Sequence, residues 1–164
     1  MMISQTKLNF KANPAQFIEE EIKVYILENP ENRFKDIDGS PIFEEPLVSF
    51  ADGDDSLFQE YKSIIGDFHL TPREVMGEYF QEDLKVEPSP EYTDISVICW
   101  ILPAAKKVRL SNGKMTDGPS RLWNNMRWLG QSLNDNLARH MVALLEEKGY
   151  LALAPDKASF FKVR

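Results

Sequence analysis

The chain has 164 residues, enough for one domain with a real core, and its 43% hydrophobic and 11% aromatic content is that of a globular protein rather than a disordered one. A net charge of −7 argues against a general nucleic-acid binder, because neutralising phosphates needs Lys and Arg in excess. The one cysteine, Cys99, rules out an intramolecular disulfide; no apolar run approaches about 20 residues, and the start has no signal-peptide core, so the reading is a soluble, cytoplasmic protein with no membrane span.

Residues 1–12 read as a loosely held arm, residues 13–155 as a single α/β domain, and residues 156–164 as a tail. Asn13–Pro14 opens the first helix, with Asn as cap and Pro in the first turn. Phe17, Ile18, Ile22, Tyr25 and Ile26 make its apolar side, and Pro30 ends it. Glu31 to Glu45 reads as a loop, with Asp38–Gly39 as a turn signal. Leu47 to Ala51 reads as a short strand. Asp52–Gly53–Asp54–Asp55 suggests a divalent cation, but the calcium-loop spacing is missing, and a turn before a helix accounts for it; Ser56 and Gln59 fit a capping box.

Leu57, Phe58, Tyr61, Ile64 and Ile65 place a helix that ends at Gly66. Thr71–Pro72–Arg73–Glu74 starts another, with Thr71 as cap and Glu74 closing the box. His69 and His140 have no second ligand or base close in sequence, which favours structural or surface roles. Glu87 to Glu91 reads as an acidic linker. Asp94 to Leu102 is a near-continuous β-branched run, expected as a central strand buried on both faces, with Cys99 a small core residue. Lys106 to Gly118 reads as a polar loop; its basic residues Lys106, Lys107, Arg109 and Lys114, with Arg121 beyond, read as solvated.

The stretch from Asp117 to Pro155 organises the rest: one long helix, a glycine stop at Gly149 and a buried strand at Tyr150–Ala154. Leu122, Trp123, Met126, Leu129, Leu133, Leu137, Met141, Leu144 and Leu145 form a stripe at steps of three and four. Ser120 or Asp117 caps the start, with Pro119 in the first turn. The first half carries a polar stripe of Ser120, Asn124, Arg127, Gln131 and Asn134. Asparagine is a poor helix former, so Asn124, Asn125, Asn134 and Asn136 in one helix need a reason. Hydrogen bonding to neighbouring loops and contact with a ligand are both open. Trp123 and Arg127, four apart, can form a cation–π pair, and Gly130 permits a close backbone approach or a kink. The fold class is α/β (α+β): helices on a small mixed sheet, with one long central helix. The strands flanking that helix would form a right-handed crossover if parallel.

Several separated segments resemble the front half of iron–sulfur oxidoreductases akin to epoxyqueuosine reductase. They are Pro46 to Asp55, Tyr61 to Gly66 and Phe68 to Glu74, then Pro119–Ser120–Arg121, Trp123, Arg127–Trp128, Gly130, Asn134, His140 and Glu147 to Tyr150. The resemblance implies a nitroreductase- or cobalamin-reductase-like fold and a corrinoid (cobalamin) as ligand. It places two 4Fe–4S clusters and the general acid in a ferredoxin-like half beyond Arg164, so this chain would be inactive alone: a front domain or a relict. A cluster needs about four thiolates, which one cysteine cannot supply. Contact with tRNA is implied only by the resemblance. Arg121, Trp123, Asn124, Arg127 and Trp128 are the candidate cofactor-binding residues: Arg grips phosphate or carboxylate, Trp offers a flat face, and the positive helix end lies close. No catalytic or metal-ligating residue is assigned. The alternatives are a non-catalytic interaction module, docking a partner or a second copy through Phe160–Phe161, and a flavin-binding nitroreductase-like protein.

Overall fold

The computed structural model describes residues 10–86 and 94–161. The expected linker at Glu87–Glu91 therefore lies wholly outside the described residues, as does most of the amino-terminal arm. The content is mixed: among the described residues there are five α-helices and a small two-stranded antiparallel sheet. The chain divides into two compact units. Unit 1 comprises residues 1–48 and 100–141, and unit 2 comprises residues 49–99 and 142–164.

Unit 1 begins with α1, Pro14–Glu28, whose start is capped by Asn13 accepting from the Gln16 backbone N–H at 3.1 Å. Its inward residues Ile18, Ile22 and Ile26 recur every four positions and are buried. The following loop supplies Phe34 and Ile42 to the same interior. The Asp38–Gly39 turn forms as expected: Gly39 has φ +69°, and Asp38 accepts from the Ser40 N–H at 2.9 Å.

Lys106 to Asn112, expected as loop, is a helix, α4 in chain order, with Val108 fully buried. Its cap comes from far away in sequence. Ala105, the cap residue, makes no side-chain hydrogen bond; instead Glu44 accepts from the Lys106 backbone N–H at 2.7 Å. The basic patch is partly neutralised. Lys107 pairs with Asp38, and Arg109 lies 3.3 Å from Glu44.

The long helix, α5, runs Arg121–Glu147, about 40 Å at the usual rise. Ser120, not Asp117, caps it, accepting from the Trp123 N–H at 3.2 Å, and Pro119 lies outside the helix rather than in its first turn. Its buried residues Leu133, Leu137 and Met141 again recur every four positions. Tyr25 stacks on His140 at 4.7 Å, tying α1 to α5; His140 thus has the structural role expected.

Unit 2 holds α2, Ser56–Ile65, and α3, Pro72–Glu78. Asp55, rather than Ser56, caps α2, accepting from Leu57 N–H at 2.9 Å. The Thr71–Glu74 capping box on α3 forms in full. A wider π turn over Tyr79–Asp83 continues from α3, closed by the Leu84 N–H on the Tyr79 carbonyl at 3.1 Å. Phe80 is buried there.

The two strands are β1, Leu47–Asp52, and β2, Ser96–Ile101. The reading of a central strand buried on both faces is corrected: a two-stranded sheet has no inner strand, and Cys99 and Ile101 are exposed. Residues 150–154, expected as a strand, are irregular and have no ladder partner among the described residues, and Leu151 is exposed. Among the described residues the sheet is therefore antiparallel rather than mixed, and no strand follows α5 to complete a crossover. The helix stop itself is as expected. Gly149 has φ +87°, and the Tyr150 N–H reaches back to the Leu145 carbonyl at 3.1 Å.

Candidate functional site

The site lies wholly within unit 1, on the polar stripe in the first half of α5. It is built from Asn32 upward. Asn32 is buried, and its side chain donates to the Phe43 carbonyl at 3.2 Å and accepts from the Phe43 N–H at 2.8 Å. That pair of bonds imitates a strand partner and fixes Phe43. The Phe43 ring then lies against Gly130: a Cβ on Gly130 would sit 2.5 Å from Phe43 Cζ. Gly130 thus has the close-approach role expected, toward a ring rather than a backbone.

Phe43 and Gly130 form part of an open cleft of about 610 Å³. Trp100 and Leu102 form another part, and α5 supplies Asn124, Met126, Arg127, Trp128, Gln131 and Asn134. Trp100 Nε1 donates to Asn134 Oδ1 at 2.8 Å, which holds the indole in place and leaves the Asn134 amide N–H₂ as a donor. Trp128 is 82% exposed, a large apolar surface held in water.

The asparagines divide cleanly. Asn125 donates to the Arg121 carbonyl at 2.9 Å, Asn134 holds Trp100, and Asn136 accepts from Arg139 at 3.0 Å. Gln131 donates to Asp135 at 2.8 Å. Ser120 is buried, receiving the Ser111 hydroxyl at 2.5 Å and donating its N–H to Asn112 at 2.9 Å. Hydrogen bonding within the protein therefore accounts for most of the stripe. The side chains of Asn124 and Arg127 are different: among the described residues neither has a hydrogen-bond, ion-pair or ring partner. The expected cation–π pair of Trp123 with Arg127 is absent among those contacts.

Of the five candidate residues, the structure brings Asn124, Arg127 and Trp128 to the cleft; Arg121 and Trp123 are not part of its lining. Arg121 and Trp123 sit at the helix start, where Arg121 is exposed and contributes its carbonyl to Asn125. Sequence reasoning missed Phe43, Trp100 and Leu102. Nothing local marks Phe43 or Leu102. The indole of Trp100, inside a run read as core, was the one available signal, since a buried indole N–H needs a partner.

In unit 2 the acidic run is fully engaged in local structure. Asp52 accepts from the Asp54 N–H at 2.9 Å, Asp55 caps α2, and Asp54 takes a two-point grip from Arg73 at 2.8 and 2.5 Å. The Arg73 hydrogen bonds hold the Asp54 carboxyl below its ordinary range. Among the described residues no group of three or more His, Cys, Asp and Glu could hold a metal ion. His69 lies edge-on to Tyr61 at 5.6 Å. Among the described residues no helix is long and apolar enough to cross a membrane. No family model, curated protein or solved structure matches the chain.

Proposed function

We propose that unit 1 is the ligand-binding part of a cytoplasmic, front domain of an epoxyqueuosine reductase-like iron–sulfur oxidoreductase, inactive without its electron-transfer partner. What supports the reading is the pair Asn124 and Arg127, whose side chains have no hydrogen-bond or ion-pair partner among the described residues, beside the exposed Trp128 on a cleft of ligand size. A guanidinium with no partner among the described residues is a ready grip for phosphate or carboxylate, and its fork geometry favours two-point binding. Trp128 and Trp100 supply flat faces for a ring system, and Asn124 and Asn134 supply amide groups for its polar edge.

These residues fit a corrinoid, a broad ring edged with amides and carrying a phosphodiester. Arg127 would hold the phosphodiester, Asn124 and Asn134 the peripheral amides, and Trp128 would cover part of the ring face. A bound corrinoid supplies redox chemistry at its metal; the chain's own residues bind, orient and shield it from water. The 4Fe–4S clusters do not fit this chain. Cys99 is the sole thiol and a cluster needs about four, so cluster ligands would come from a partner subunit or domain.

The test is equilibrium binding of cobalamins and flavins to the purified chain, read by visible absorbance. A corrinoid should bind, and Arg127→Ala should weaken it by at least tenfold without lowering the melting temperature. Binding of flavin in place of corrinoid would turn the reading to the nitroreductase-like alternative. Binding of neither would remove the ligand site altogether.

A further inference from the structure

The sequence of unit 2 carries fifteen Asp and Glu against seven Lys and Arg, a balance of −8; unit 1 carries eleven against twelve. Unit 2 therefore carries the whole net negative charge of the protein, and unit 1 is close to neutral at +1. The cations of unit 2 are also largely engaged. Lys62 bonds to Glu74 at 2.5 Å, Arg73 to Asp54 at 2.5 Å, Lys85 lies 3.6 Å from Glu82 and Lys157 3.0 Å from Asp156.

The same unit exposes an apolar face. No residue of α2 is buried. Leu57 and Ile64 are two helical turns apart on one side, with Ile65 beside them, and they are 44%, 67% and 51% exposed. The chain then turns at Gly66, whose φ of +141° suits glycine, and the Phe68 ring folds over it: a Cβ at 66 would sit 2.6 Å from the Phe68 ring. Phe68, 58% exposed, thereby lengthens the stripe. Glu60, on the same helix, and Asp67, next to Phe68, have no cationic partner among the described residues. A row of large apolar groups bordered by uncompensated carboxylates is complementary to a segment with the opposite charge and the same apolar spacing.

We propose that the α2 face, Leu57, Ile64, Ile65 and Phe68 with Glu60 and Asp67 beside them, docks a basic amphipathic segment of a partner protein. A second copy of this chain, docked face to face through α2, is a poor occupant, since it would bring together two units that each carry a net charge of −8. The partner is thus a different protein presenting Lys or Arg around an apolar stripe. This surface lies in the other unit from the cleft, and the proposal stands independently of the ligand reading.

The experiment titrates the full chain with two fluorescent peptides of equal length, read by anisotropy. Both carry Leu at helical spacing; one has Lys and the other Glu at the remaining positions. The Lys peptide should bind and the Glu peptide should not. Ile64→Ser with Phe68→Ser should weaken the Lys peptide by at least tenfold, whereas Leu27→Ser, removing an exposed apolar group in unit 1, should leave it unchanged. Glu60→Lys with Asp67→Lys keeps the apolar row and should shift preference toward the Glu peptide. Equal binding of both peptides, or undiminished binding by the Ile64→Ser, Phe68→Ser protein, would overturn the proposal. So would a dimer in sedimentation that this double variant splits.

Discussion

Of the thirteen buried apolar residues among those described, twelve belong to unit 1 and one, Phe80, to unit 2. Unit 1 draws isoleucines at steps of four from α1, leucines and a methionine at steps of four from α5, and Phe34 and Ile42 from a loop. Unit 2 is held instead by caps and surface ion pairs: the Thr71–Glu74 box, Lys62 with Glu74, Arg73 with Asp54, and Ser159 on Asp83. Burial of one large side chain is worth about 1.5–3 kcal/mol, whereas an exposed ion pair is worth about 0–1. The buried core is thus concentrated in unit 1, while both units expose large apolar side chains, among them Leu47, Ile101 and Trp128 in unit 1 and Ile64 and Phe68 in unit 2. Unit 1 presents a Trp-edged cleft, and unit 2 combines its exposed apolar side chains with the acidic charge of the protein.

The sharpest way to break the comparison is to cut into each unit. Leu133→Ala, at a fully buried position, should cost about 2–5 kcal/mol in urea denaturation. Ile64→Ala, at a 67% exposed position, should cost less than about 0.5 kcal/mol. Comparable losses would mean that unit 2 has a core after all. Gly130→Ala comes next. Helix propensity alone favours alanine by about 1 kcal/mol, but the new Cβ meets the Phe43 ring. A net loss of about 1–3 kcal/mol is expected, with Phe43→Ala in the same chain restoring the favourable sign; a gain in the single variant would separate Phe43 from the helix.

Thr71→Ala should cost about 1 kcal/mol by opening the capping box, and hydrogen exchange should speed at Glu74 in α3 and not in α1. The smallest effect is electrostatic. A hydrogen bond from Lys107, and then those from Ser40, pull the Asp38 carboxyl from 3.8 to about 2. The folded state favours ionised Asp38, so the contribution is present above about pH 4 and is lost as pH falls through about 2. In Lys107→Met the carboxyl should titrate nearer its ordinary value, as followed by NMR. No change would mean that the pair is not formed in solution.

Local signals were legible wherever the deciding groups lie within a few residues. Asn13–Pro14, Thr71 with Glu74 and Gly149 each stand next to the backbone they cap, and their helix ends are where the sequence puts them. The polar stripe on α5 was legible for the same reason, because its residues share a face through helical geometry alone. Which of them bind inside the protein was not. The Asn134 side-chain oxygen is engaged by Trp100, 34 positions away, while among the described residues the side chains of Asn124 and Arg127 have no hydrogen-bond or ion-pair partner. The start of α4 was hidden because its cap, Glu44, is 62 positions from Lys106. Residues 150–154 carry a strand pattern, but a strand exists only when another backbone takes its hydrogen bonds, and among the described residues none does. The sequence by itself thus determined α1, α2, α3 and α5, the caps of α1 and α3, the stop at Gly149 and the charge balance, which depend on neighbours along the chain. Tertiary structure alone decided the strand count, the remote cap and the makeup of the cleft, because each depends on groups that only folding brings together.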